Sequence, residues 1–538
     1  MLRRVSVSRR HFLGGALATT AGLALAGCGG GDDEEGKKTA QPTGQATGAA
    51  GGEPKRGGTL RFSVPSAILN LDPQDPQGVT SAPFFYSYVV HDTDWEGVVG
   101  DLAESWEVPD QVSWIFKIRS GVRFQDVAPV NGRGLDARDI VKSFDRGRSL
   151  AGANDWSDWL DHYAAPDPNT LEIVTTKPFY GAMGALGSPL SAIVPVDAVE
   201  QFGDLKTHVV GSGAFMMSKY DANNELQMVR NPNYYHEYPY VDGQNIKVLA
   251  DDALAQAAFR AGQIDVYNAS TKPKADSVSG VKGASTQKYL SRVYLTLVLN
   301  GSKFEAFKDE RVREAVDLAL DRKQMIDKIC FGDGELAGPI PPSGGSKALP
   351  KEEIEAAYQR DVTKAKSLLS AAGAEGLQFT LSFNSVPEQA DLASIVKSNL
   401  AEAGITVDLA PQELGTWGAA LFGGDFQATL FQQLPYLGAE FSLEFHHSHG
   451  YSRSDVFYYG VDDPEVDALI EGTREVLDEQ KRLERWWTAQ RLILKRHGPM
   501  LTLYQPYGYW VAMDFIKGYT PTAYGFGLYK YDYWLDKG

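Results

Sequence analysis

Residues 299–342 read LNGSKFEAFKDERVREAVDLALDRKQMIDKICFGDGELAGPIPP, and this run decides how the rest of the chain is organised. Val312, Ala315, Val316, Ala319 and Leu320 recur at the i, i+3, i+4 spacing of an amphipathic helix, with Asp309 placed to cap its first turn. One face of that helix is committed to a core. A second helix follows at once: Asp321 with Gln324 three residues on has the form of a capping box, Met325, Ile326 and Ile329 continue the apolar stripe, and Gly332 supplies the stop. The extended run before Asn300 and the Gly/Pro loop after Ile329 frame the two helices as the beginning of an α/β lobe.

Working outward, 538 residues are too many for one core and predict two or three domains. Hydrophobic residues at 43% describe a globular protein, and 24 Phe, 25 Tyr and 10 Trp suffice to line a cleft as well as a core. A formal net charge of -17 without clustered Lys and Arg excludes a nucleic-acid surface. No GxSxG, HExxH or P-loop is present, so no catalytic role and no cofactor is assigned. Cys330 closes an apolar stripe and reads as packing, which leaves the chain without a disulfide framework.

The first 27 residues read as an export signal. Arg3, Arg4, Arg9 and Arg10 precede the apolar run Phe12–Ala26, which is short for a span of about 20 residues. Ser8 to Leu13, SRRHFL, resembles a twin-arginine signal, although Gly14 stands where Lys is usual; Leu25-Ala26-Gly27-Cys28 resembles a lipobox, which implies lipid on Cys28. Residues 28–56, rich in Gly, Ala, Thr and charge, read as a flexible tether.

The ordered string LTLVLN, FKDERVREAVDLALDR and GPIPP resembles the dipeptide- and oligopeptide-binding proteins of ABC importers, a family with nickel- and oligosaccharide-binding members as well. Further matches support it: GGTLRFSVPSAILNLDP from Gly57, DLAESWEVPDQVSWIFKIRSGVRFQD from Asp101, the helix start at Leu135, VVGSGAF with LQMVRNPNYY, AQAAFRAGQIDV, and the strand–helix–strand 379–409. The resemblance implies an α/β, two-lobed periplasmic-binding-protein fold of the Venus-flytrap type (class II, cluster C) with an additional small domain. Residues 57–85 would open lobe I, 86–200 form small domain II, 201–298 return to lobe I, 299–498 make lobe III, and 499–538 recross to lobe I. From the residues themselves, 84–90 reads as a helix, 101–126 as a hairpin, and 379–383 with 405–409 as a parallel pair across a helix. Two crossings between lobes make a hinge.

The resemblance implies a lipid-anchored, extracytoplasmic, monomeric solute-binding protein. Its partners would be a small-molecule or peptide ligand and the permease subunits of an ABC importer. A peptide or peptide-like ligand is the first expectation, with oligosaccharide and nickel or a metal chelate as alternatives. Asn70 lies in a loop that borders the family's cleft, and Trp417 falls where the family carries an aromatic near it. Trp156 and Trp159, three apart, would share one helix side and could stack on a ligand. An ungapped match places Leu434 where peptide-binding relatives carry the acid that pairs with a ligand ammonium, which makes Glu440 the nearest substitute and Tyr436 its neighbour. His446, His447 and His449 are the one cluster of metal-ligating type.

Overall fold

In the computed structural model, which describes residues 53–75, 78, 82–92, 98–150, 156, 159–433, 441–449, 457–519, 521 and 531–537, one strand of 14 residues, Met500–Met513, is shared by both halves of the molecule. Its first half lies antiparallel to Tyr294–Leu299, with Val298 opposite Met500 and Leu295 opposite Tyr504. Its middle pairs with Gly334–Glu335, and its second half with Ala284–Leu290 on one edge and Val266–Ala269 on the other. Chain direction therefore crosses from one lobe to the other twice, side by side. The two-lobed α/β fold follows from this arrangement.

Lobe III extends the shared sheet through Ala428–Gln433, then Gln378–Asn384 and Thr406–Gln412. The last two are parallel, and helix Pro387–Glu402 connects them, as the sequence predicts. Helices Glu310–Ala319 and Arg322–Ile329 bury Val312, Val316 and Met325 against Leu295, Leu297 and Leu381. Asp309 caps the first by accepting from Arg311 N at 2.9 Å. The expected capping box on the second is completed from outside: Asp321 accepts from Gln324 N at 2.8 Å, but Asn399 Oδ1 accepts from Asp321 N at 2.8 Å, and Asn399 Nδ2 donates to Gln324 Oε1 at 2.9 Å. The local motif is thus closed by the crossover helix.

Three charged residues of this helix pair are buried and hold the shared strand together with the helix end that leads into it. Arg313 donates to His497 O at 2.6 Å and Arg496 O at 3.2 Å, and Arg322 donates to Thr502 O at 2.8 Å. Asp317 pairs with Arg322 and lies 2.8 Å from His497 Nδ1. Burial opposes charge on Asp317, yet Arg322 and His497 outweigh it and hold its carboxyl below the usual range.

Lobe I carries a four-stranded sheet in which Thr59–Val64 is parallel to Gly243–Val248, followed by Glu225–Arg230 and Phe215–Asp221. The small domain is an antiparallel sheet, Ala103–Glu107, Ser113–Ile118, Thr170–Thr175 and Leu160–Asp167, with helix Ala137–Ser149 capped reciprocally by Asp136 and Asp139. Alternation in Ser113–Ile118 buries Trp114, Phe116 and Ile118. One continuous apolar cluster joins this sheet to lobe I through Phe62, Phe85, Phe116, Ile173 and Phe215.

The helix expected over 84–90 is only Ala82–Phe85, and Val90–Asp92 is a strand paired with Val98–Gly100. The carbonyl of Phe85 that a longer helix would use accepts instead from Gly213 N at 2.8 Å. A Cβ on Gly213 would lie 2.4 Å from Phe85 C, and one on Gly211 2.0 Å from Phe85 O. Those glycines permit close backbone approach; neither has positive φ.

Beyond this junction Asp101, buried, accepts from Tyr88 N at 2.7 Å and from the Tyr235 hydroxyl, with His91 Nε2 at 3.1 Å and His236 Nε2 at 3.4 Å. Burial resists ionisation, but the charge of His91 and the hydrogen bonds from His236, His91 and Tyr235 hold the carboxyl far below its ordinary range. A carboxylate depressed on folding stabilises above its unfolded pKa of about 3.9 and loses that contribution as pH falls further. Asp101→Asn is expected to cost about 3–5 kcal/mol at pH 7. Urea unfolding at pH 7 and pH 3 checks this: the gap between wild type and variant should narrow at the lower pH.

Candidate ligand cleft

The floor between the lobes is where the two crossings touch, residues 290–294 beside 504–507. Ser291 N donates to Pro506 O at 3.2 Å. Gln505, fully buried, fixes both crossings to the GPIPPSG loop: its Oε1 accepts from Ser343 N at 3.0 Å, and its Nε2 donates to Ser343 Oγ at 2.6 Å and to Ser291 O. Arg292 is 0% exposed, a guanidinium set at the junction itself.

From this junction alternation divides the strand Tyr294–Leu299. Leu295, Leu297 and Leu299 enter the helical core. Tyr294, Thr296 and Val298 face the other way, where the Tyr294 hydroxyl donates to Gln433 Oε1 and Thr296 Oγ1 donates to Phe431 O at 3.1 Å. Burial pushes the pKa of the Tyr294 hydroxyl up. The result is a set of buried amides and hydroxyls with one guanidinium beside it. These groups are buried and spend hydrogen bonds on one another and on the loop at Ser343 across the crossing. Among the described residues no three His, Cys, Asp or Glu side chains converge to hold a metal.

The residues singled out from sequence are placed differently. Asn70 is buried, its Oδ1 accepting from Asp72 N at 2.9 Å, and Asp72 in turn pairs with Arg146 of the small-domain helix. This clamps the loop to the small domain. Trp156 and Trp159, 3% and 4% exposed, are not on a helix: their rings are 5.3 Å apart, Trp159 stacks on Phe179 at 5.1 Å, and Trp156 meets Phe144 edge-on at 4.9 Å. The pair is core of the small domain.

Trp417, on helix Leu414–Gly423, points inward, donating Nε1 to Thr429 Oγ1 at 3.1 Å and packing with Leu421 and Phe426. Tyr436, Glu440, Leu434 and Cys28 lie outside the described residues. His446 is buried, and burial lowers its pKa to about 3. His447 accepts at Nδ1 from His449 N at 3.0 Å, which leaves its Nε2–H for Glu471 at 3.3 Å. Among the described residues these imidazoles do not converge with other groups on a common point.

Arg292, Tyr294, Gln433, Ser442 and Gln505 are the floor residues that sequence reasoning passed over. The signal was a polar residue inside an apolar β run, as in YLSRVYLTLVLN and LTLYQPYGYW, where an unpartnered group would be costly. Trp159→Ala is expected to destabilise the protein by about 3–5 kcal/mol. Denaturant melts check it against a stacking role, which would leave stability unchanged.

The model of the family "Bacterial extracellular solute-binding proteins, family 5 Middle" matches residues 97–441. The chain is similar to the periplasmic oligopeptide-binding protein OppA of Salmonella typhimurium, 27% identical over 512 residues that cover 86% of this chain and 90% of the relative. Among solved structures it is similar to the periplasmic binding protein DppA of Helicobacter pylori in complex with the peptide STSA, at a TM-score of 0.75 and 21% identity, covering 90% of this chain and 99% of that one. It is also similar to AgaA of A. tumefaciens R10 in complex with agropinic acid, at 0.76 and 21%, covering 89% and 99%.

Proposed function

The chain belongs to the bacterial extracellular solute-binding proteins of family 5, binding components of ABC importers rather than enzymes, and we propose that its solute is a peptide or peptide-like molecule. The observation that carries this reading is the contrast between the floor and the tryptophans. Trp156, Trp159 and Trp417, the rings singled out from sequence for stacking, are packed inward, whereas Tyr294, Gln433, Ser442 and Gln505 gather amide and hydroxyl groups at the junction. A peptide brings one donor and one acceptor per residue into a closing cleft, and each loses water only at a cost unless matched.

Anchoring is part of the same proposal. Lipid on Cys28 would hold the protein at the outer face of the membrane through residues 28–56. The chain joins the fold on lobe I, where Lys55 pairs with Asp536 and Arg56 Nη2 donates to Glu237 O at 2.6 Å. Lobe I is then the tethered half and lobe III the one that swings.

The test follows the melting temperature against a pool of di- to octapeptides, an oligosaccharide panel, and nickel with and without chelators. A ligand of the folded state at 1,000 times its dissociation constant stabilises by about 4 kcal/mol. The expected result is a rise with peptides alone. A rise with sugars or nickel alone overturns the assignment.

A further inference from the structure

The carbonyls at the end of a helix need partners from outside it. At the end of Pro464–Glu475 in lobe III, Arg485 Nη1 donates to Gly472 O at 3.1 Å, and Arg482 Nη1 donates to Val476 O at 2.9 Å and Leu477 O at 3.1 Å. The Arg474 carbonyl takes its hydrogen bond from the small domain: Tyr180 N donates to it at 2.6 Å. The Tyr180 ring lies 3.3 Å from the Arg482 guanidinium, measured to the ring centroid. Lys177 pairs with Glu475, and Leu477 packs on the apolar cluster that contains Phe179.

Two cations at a helix C-terminus suit its dipole, and Arg482 is held for the purpose by two carbonyls. Covalently, Tyr180 and Arg474 are connected only by way of the crossing at 290–294. If the lobes swing apart about that crossing, these contacts must part.

We propose that Tyr180 and Arg482 form a latch that holds lobe III on the small domain before a solute arrives, and so set affinity from outside the floor. The latch raises the population of the closed state, and a solute that binds the closed state gains apparent affinity in proportion to that population. The proposal goes beyond the reading of the solute and does not use it, because its test needs no ligand.

The experiment measures the distance between spin labels at Asp161→Cys and Glu484→Cys by double electron–electron resonance, in the ligand-free full chain carrying Cys28→Ser; Cys330 is buried. Wild type should show a short-distance population. Tyr180→Ala and Arg482→Gln should each lower the closed-to-open ratio about tenfold, whereas Tyr180→Phe, which keeps the ring and the N–H, should match wild type. Circular dichroism establishes that each variant is folded, and Arg482→Gln carries the test if Tyr180→Ala does not fold. Distance distributions unchanged in the folded variants, or a Tyr180→Phe effect as large as that of Tyr180→Ala, would overturn the latch.

Discussion

The grip of Arg313, Asp317 and Arg322 on the shared strand and on the helix end that leads into it is the constraint from which the architecture follows. A buried guanidinium is tolerable only where acceptors meet it, and Arg313 finds them in His497 O, Arg496 O, Phe307 O and Lys308 O. Arg322 finds Thr502 O and the Asp317 carboxylate. Removing one member would strand a charge among apolar neighbours, so the helix pair and the strand cannot reorganise separately. The strand leaves lobe III from a fixed direction, and the register of everything paired to its second half is set there.

Past that anchor the design changes from apolar to polar. Leu501 and Leu503 belong to the core of lobe III, and Tyr509 and Val511 to a smaller cluster under lobe I. Between them, Gln505 and Tyr507 are held by side-chain hydrogen bonds: Gln505 by Ser343 and Ser291, Tyr507 by Glu335 at 2.8 Å with Lys288 3.8 Å from its ring centre. Hydrophobic contacts resist separation in proportion to area, whereas directional bonds at a narrow crossing can exchange for water as the lobes rotate. Apolar burial lies within each lobe and side-chain hydrogen bonding at the crossing, the distribution a hinge between two bodies requires.

Much of this was legible in sequence because it is periodic. The stripe 312–320, the alternation at Trp114, Phe116 and Ile118, and the strand–helix–strand 379–409 each report which face is buried, and the resemblance supplies their order. What was not legible is what depends on tertiary partners. Nothing local marks Arg313, Asp317 and Arg322 as buried, since no local rule says that a returning chain will cover them. Trp156 and Trp159 read as a possible stacking pair because spacing says nothing about depth, and Phe144 and Phe179 close over them from distant positions. The floor escaped for the same reason: Arg292, Gln433 and Gln505 are 72 to 213 residues apart in sequence and meet only through strand pairing.

That dispersal bears on how such a cleft acquires a ligand. A floor assembled from single residues on several strands can change its hydrogen-bonding pattern one position at a time, provided the strand register is held elsewhere. Here the register is held by the buried arginines and the apolar clusters, none of which needs to touch a solute. The His446–His449 loop illustrates the other limit. His447 spends its ring nitrogens on Glu471 and the His449 backbone and His446 is buried, and among the described residues no three groups of metal-ligating type converge. Side-chain identity becomes recognition where a group can trade a bond made within the scaffold for one to a solute. In this protein the crossing is where strand pairing brings buried polar groups from both lobes together.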